Sequence, residues 1–115
     1  MTYEPFSVVV IPLPFNDSVQ SKKRPALVLS SIEYQQQANH ITVMMITSDK
    51  NRAWPNDYPI KNLESCGLTA PSIVRPKVFT LDNRLIIKSI GKLQPDEQKL
   101  ISEALRGFLS LEVNR

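Results

Sequence analysis

The chain's 115 residues and 13.0 kDa fit one domain, able to bury about two-thirds of the surface its unfolded form exposes. Hydrophobic residues make up 42% and charged residues 22%, which excludes a disordered or fibrous chain. No apolar run reaches the roughly 20 residues of a membrane span, and the longest candidate, Val8 to Leu13, is interrupted by Pro12.

The net charge of +3 hides an asymmetry. Residues 5–95 carry eleven Lys/Arg against six Asp/Glu, whereas residues 96–115 carry three against four, so the positive field belongs to the body of the domain. A polyanion is its natural partner, although a merely solvated basic surface is a common alternative. Met1 to Pro5 lacks the basic residues and long apolar core of a secretory signal, and cytoplasm is the expected compartment. Cys66 is the single cysteine; it has no internal disulfide partner and no Cys or His neighbour for a zinc site, so its expected role is packing.

Taken in chain order, Val-, Ile- and Leu-rich runs bounded by Pro, Asn, Asp or Ser predict strands near Phe6 to Ile11, Ala26 to Ser30, Ile41 to Thr47, Asp57 to Ile60, Ser72 to Phe79 and Leu85 to Ile87. The continuous run Val8-Val9-Val10-Ile11 predicts a strand covered on both faces, as in a small, highly curved barrel. Between the first two strands, Pro12 to Lys23 reads as a long connection ending in a basic cluster, suited to folding over a bound anion. A short helix is expected over Glu33 to Ala38. A firmer one lies between Gln94 and Leu109, where Leu100, Ile101, Ala104, Leu105, Phe108 and Leu109 form one stripe, Pro95 suits the first turn, and Asp96 and Glu97 meet the positive end of the helix dipole. Gly107 weakens the last turns by about 1 kcal/mol relative to Ala, so this helix needs packing against the sheet.

Four blocks in order carry a family resemblance. Arg24-Pro-Ala-Leu-Val-Leu-Ser30 resembles the Arg-Pro-X-Leu-Val-X-Ser strand of MazF/PemK toxins; Ile46-Thr47-Ser48 closes a strand; Gly67-Leu68-Thr-Ala-Pro-Ser-Ile-Val-Arg75 follows; and Phe79-Thr-Leu-Asp82 precedes Ile90-Gly-Lys-Leu93. The match spans nearly the whole chain. It implies a mainly β fold (α+β), a small curved antiparallel barrel of the CcdB/MazF, Src-homology-like type with a C-terminal helix. It also implies a cytoplasmic homodimer, the toxin of a type II toxin–antitoxin system, that cuts single-stranded RNA at specific sequences without metal or cofactor and is blocked by an acidic antitoxin. The chain departs from many relatives by having Phe6-Ser7 where they begin the first strand with Gly-Asp, Ser18 where some have a loop histidine, and Lys77 where some have an acid two residues after the arginine matching Arg75.

RNA can be cut without metal because its own 2′-hydroxyl attacks the adjacent phosphate. The resemblance places Arg24 and Thr47 at the catalytic centre. Arg24, a planar fork of permanent charge, would stabilise the phosphorane-like transition state, and the Thr47 hydroxyl would bond a phosphate oxygen or hold the 2′-hydroxyl. Ser18, Lys22, Lys23, Ser48, Arg75 and Lys77 are expected to contact RNA, with a catalytic part for Arg75 left open. Trp54, Phe15 and Tyr58 are candidates for stacking on unpaired bases as much as for packing. His40, the only imidazole, matches no family site. Two other functions fit the same fold: a non-catalytic CcdB-like toxin that binds DNA gyrase, and a regulator that has lost cleavage.

Overall fold

Alternating side-chain direction along strands sorts the apolar residues of this chain into two layers, one on each face of a single sheet. The computed structural model describes residues 1–13 and 22–111. Strands β1 (Ser7–Leu13), β2 (Lys22–Val28), β3 (His40–Ser48), β4 (Tyr58–Pro59), β5 (Ser72–Asp82) and β6 (Lys88–Lys92) pair antiparallel in the order β4-β5-β3-β2-β1-β6. The sheet curls as a half-barrel with β4 and β6 at its edges.

On one face Val8, Leu27, Met44, Ile46 and Val74 pack with Ile101, Leu105 and Phe108 of the C-terminal helix α2 (Pro95–Phe108). The other face carries Val9, Ile11, Ala26, Val28, Ile41, Val43 and Ile86, flanked by Tyr3, Phe79 and Leu81. The run Val8 to Ile11 is therefore covered on both sides, as its unbroken hydrophobicity predicts, with Val8, Val9 and Ile11 fully buried. The short helix α1 (Ile32–Ala38) starts at Ser31, whose hydroxyl accepts from the Tyr34 N–H at 3.1 Å, and ends at Asn39 in the left-handed region at φ 54°.

Two buried polar side chains tie peripheral segments to this frame. Gln35 of α1, fully buried, accepts from the Tyr3 N–H at 2.8 Å and donates to the Tyr3 and Ser30 carbonyls, clamping the N-terminal segment. Glu97 of α2 accepts from the Tyr58 hydroxyl at 2.6 Å and from the Lys61 and Asn62 N–H groups at 2.7 and 3.1 Å, anchoring the segment after β4. Burial pushes the Glu97 carboxyl up, but these hydrogen bonds outweigh it and hold the group below its ordinary value; burial and the Glu97 charge push the Tyr58 phenol up.

Several sequence expectations change. The strand expected at Leu85 to Ile87 lies instead at Lys88–Lys92, after a 3₁₀ turn over Asn83–Leu85 in which the Arg84 N–H donates to the Asp82 side chain. The apolar residues there mark a packed turn, with Ile86 buried, while the edge strand is mostly polar and exposed and shows little hydrophobic signal. Strand pairing reaches Leu13 and Lys22, so the connection expected from Pro12 to Lys23 is shorter at both ends, and its remainder lies outside the described residues. β4 spans only Tyr58–Pro59, so Asp57 precedes it. Phe6, where many relatives have glycine, adopts φ 69°, a left-handed conformation unfavourable for a bulky residue.

Candidate functional site

Alternate residues of three neighbouring strands converge at one end of the face opposite α2. Arg24 shares its face with Ala26 and Val28 on β2, Met45 and Thr47 continue the row of Ile41 and Val43 on β3, and Arg75 and Lys77 lie in line with Phe79 and Leu81 on β5. The second apolar layer thus gives way to a polar cleft of about 270 Å³ lined by Arg24, Met45, Thr47, Asn51, Trp54, Arg75 and Lys77. A larger recess of about 410 Å³ beyond α2 is lined by Arg106 to Leu111 and offers one ionisable side chain.

Two features of the backbone shape the cleft. The β2–β3 register pairs Ala26 with Met45, and continuing it by two residues sets Arg24 opposite Thr47 on the same face. The β3–β5 register jumps from Met44↔Val78 to Ile46↔Val74, so Arg75, Pro76 and Lys77 oppose the single residue Met45. This bulge accommodates Pro76, which has no N–H for the ladder, and re-aims its neighbours.

Thr47 is buried, and its Oγ1 accepts from Asn51 Nδ2 at 2.7 Å. With that lone pair occupied, the Thr47 hydroxyl hydrogen can donate to another acceptor. Arg75 is also buried. Its Nε and Nη2 donate to Asp57 Oδ1 and Oδ2 at 3.2 and 3.0 Å, Nη2 donates to the Arg52 carbonyl at 2.6 Å, and its Cζ lies 4.9 Å from the centroid of the Trp54 ring. Asp57 Oδ2 also accepts from the Trp54 N–H at 2.7 Å. Burial pushes the Asp57 carboxyl up, but the Arg75 hydrogen bond, the Trp54 N–H and the Arg75 charge together hold it below its ordinary value.

Of the residues expected from sequence, the structure brings Arg24, Thr47, Arg75 and Lys77 into one cleft, with Lys77 exposed at its edge. Lys22 and Lys23 are exposed on β2 ahead of Arg24; strand alternation puts Lys22 on the cleft face and Lys23 on the other. Ser48 is exposed beyond the cleft, its Oγ accepting from the Lys50 N–H at 3.2 Å. Ser18 and Phe15 lie outside the described residues. Tyr58 packs against the α2-side core and is not a cleft residue. Among the described residues no three His, Cys, Asp or Glu side chains form a metal-binding group. Sequence reasoning missed Asn51 and Asp57. Asp57 had a signal, being the lone carboxylate within the basic stretch from Lys50 to Lys61.

Residues 4–109 match the model of the family described as PemK-like, MazF-like toxin of type II toxin-antitoxin system. The chain belongs to this family. Solved structures share the fold: the Mycobacterium tuberculosis toxin MazF-mt6 superimposes with a TM-score of 0.74 at 22% identity, over 93% of this chain and 99% of that one. A mycobacterial endoribonuclease solved with its cognate antitoxin gives 0.76 at 15% identity, over 98% of this chain and 100% of that one. MazE-MazF (Form-II) from Deinococcus radiodurans gives 0.76 at 17% identity, over 96% and 97%. A sequence search of curated proteins found no significant match. Position 77, acidic in some relatives, is a lysine, and the carboxylate beside Arg75 comes from Asp57, 18 residues earlier.

Proposed function

We propose that this PemK/MazF-family protein is a metal-independent endoribonuclease toxin that cleaves single-stranded RNA and is neutralised by an acidic antitoxin. The observation that carries the reading is the placement of Arg24 and Thr47 across adjacent strands in one cationic cleft with Arg75 and Lys77. In the reaction the 2′-oxygen bonds to phosphorus as its proton departs, the P–O5′ bond breaks, and a proton reaches the leaving 5′-oxygen, giving a cyclic phosphate and a 5′-hydroxyl. Arg24 supplies a permanent, delocalised charge for the phosphorane-like oxygens, and Thr47, with Asn51 holding its oxygen, donates its hydroxyl hydrogen to one of them. Lys22 and Lys77, exposed on the same face, and Ser48, exposed beyond the cleft, guide the flanking phosphates.

The basic body of the domain, with its surplus of Lys/Arg over residues 5–95, supports both an RNA substrate and an acidic antitoxin segment competing for the same face, on a homodimer. The existence of solved relatives in complex with an antitoxin is consistent with this partner. Single-turnover cleavage beside a thermal melt tests the assignment. Arg24→Ala is expected to cut on the order of a hundredfold more slowly with an ordinary melt, Arg24→Lys to recover little, and Thr47→Ala to lose less. An Arg24→Ala protein that melts normally and cuts at the parental rate removes Arg24 from the mechanism.

A further inference from the structure

Arg75 stands where a phosphate-binding cation is expected, yet its guanidinium is turned inward. Its side chain is 8% exposed, Nε and Nη2 are committed to Asp57 and the Arg52 carbonyl, and the carboxylate beside it offsets its charge. The side chain that it supports is Trp54. The indole lies over the guanidinium at 4.9 Å, its own N–H backbone group is fixed by Asp57 at 2.7 Å, and the residue is nonetheless 43% exposed at the lining of the cleft that holds Arg24 and Thr47. An aromatic ring with one face packed on a buried cation and the rest open to a catalytic cleft is a rigid surface, its orientation fixed before any ligand arrives. Such a surface, half-exposed at the lining of the cleft, matches the flat face of an unpaired nucleobase.

We infer that Trp54 is a base-stacking platform beside the scissile phosphate, with Arg75 and Asp57 as the positioning pair that braces it. This rests on the proposed RNA cleavage, and it adds a contact to a base, whereas Arg24 and Thr47 address only the phosphate. Every base has a π face, so the platform itself tolerates any sequence and orders the nucleotide next to the cut. Arg75, which lies against the ring, is one of the three β5 residues that the bulge places opposite Met45. Trp54 is the only tryptophan in the chain, so its fluorescence reports this position alone.

The test uses the full chain and short, non-cleavable 2′-O-methyl RNA oligonucleotides of mixed sequence, with a matched series in which the bases are replaced by abasic units. The base-bearing strand is expected to quench Trp54 fluorescence and to bind about tenfold more tightly than the abasic strand of equal charge, the increment of one stacked base. Trp54→Phe should keep most of that difference and Trp54→Ala should abolish it, both still cooperatively folded and with unchanged affinity for the abasic strand. Equal quenching by both strands, or a Trp54→Ala protein that still prefers the base-bearing strand tenfold, overturns the platform while leaving RNA binding intact. Absence of binding by either strand to the parental protein overturns the RNA reading as well.

Discussion

Replacing Asp57 with asparagine isolates the buried pair that organises the floor of the cleft. The two side chains are 8% and 10% exposed, so solvent does little to screen either charge. Removing one member of a buried ion pair costs about 3–5 kcal/mol, chiefly because the remaining charge stays desolvated. The Arg52 carbonyl at 2.6 Å and the Trp54 ring at 4.9 Å still compensate Arg75 in part, which favours the low end. We expect Asp57→Asn to lose about 3 kcal/mol at neutral pH, or about 12 °C in Tm at roughly 4 °C per kcal/mol for a domain of this size. The pH dependence has a definite sign. Burial raises the Asp57 carboxyl and the Arg75 and Trp54 contacts lower it by more, so the folded value is depressed. Its stabilisation is then complete above the unfolded carboxylate value of about 3.9 and fades as pH falls through the folded one. Urea denaturation followed by circular dichroism, at neutral pH and through the acid range, should show the gap between parent and variant closing on acidification. A variant as stable as the parent at neutral pH, or a gap that widens in acid, refutes the reasoning.

Substitutions at two further positions test the frame around the site. Glu97→Gln leaves the Tyr58 hydroxyl and the Lys61 and Asn62 N–H groups without a charged acceptor and should cost about 2 kcal/mol in urea melts; because the folded Glu97 carboxyl is also depressed, that loss too should shrink in acid. Phe6→Ala keeps the left-handed φ of 69° and loses the ring, whereas Phe6→Gly loses the ring but relieves the backbone, so the glycine variant should be the more stable of the two by about 1 kcal/mol, the reverse of their usual order.

Strand and helix placement was legible where one residue type repeats with one period. Val8 to Ile11 announced a doubly covered strand and the spacing of Ile101, Leu105 and Phe108 announced α2, although Leu100 and Leu109 of the same expected stripe are exposed. β6 was hidden, since Lys88-Ser-Ile-Gly-Lys92 is an edge strand paired only with β1 and needs no apolar alternation. Glu97 reads in sequence as a helix-dipole acid, yet it is buried against segments 36 and 39 residues distant, a contact no local pattern encodes. Of the cleft residues, Arg24, Thr47 and Arg75 are singled out by motif resemblance, and the structure adds why they can meet: alternate positions on β2, β3 and β5 share one face. The inward turn of Arg75 was not legible, because it depends on Asp57 and on a bulge that only the register of β3 against β5 reveals.

The most direct measurement of the central claim is cleavage of a long single-stranded RNA by the purified protein in EDTA, with the new ends analysed chemically beside a fully 2′-deoxy strand of the same sequence. Cleavage in the chelator with cyclic-phosphate and 5′-hydroxyl ends, and an intact deoxy strand, is the predicted result; a requirement for added magnesium, or equal cleavage of the deoxy strand, would contradict it.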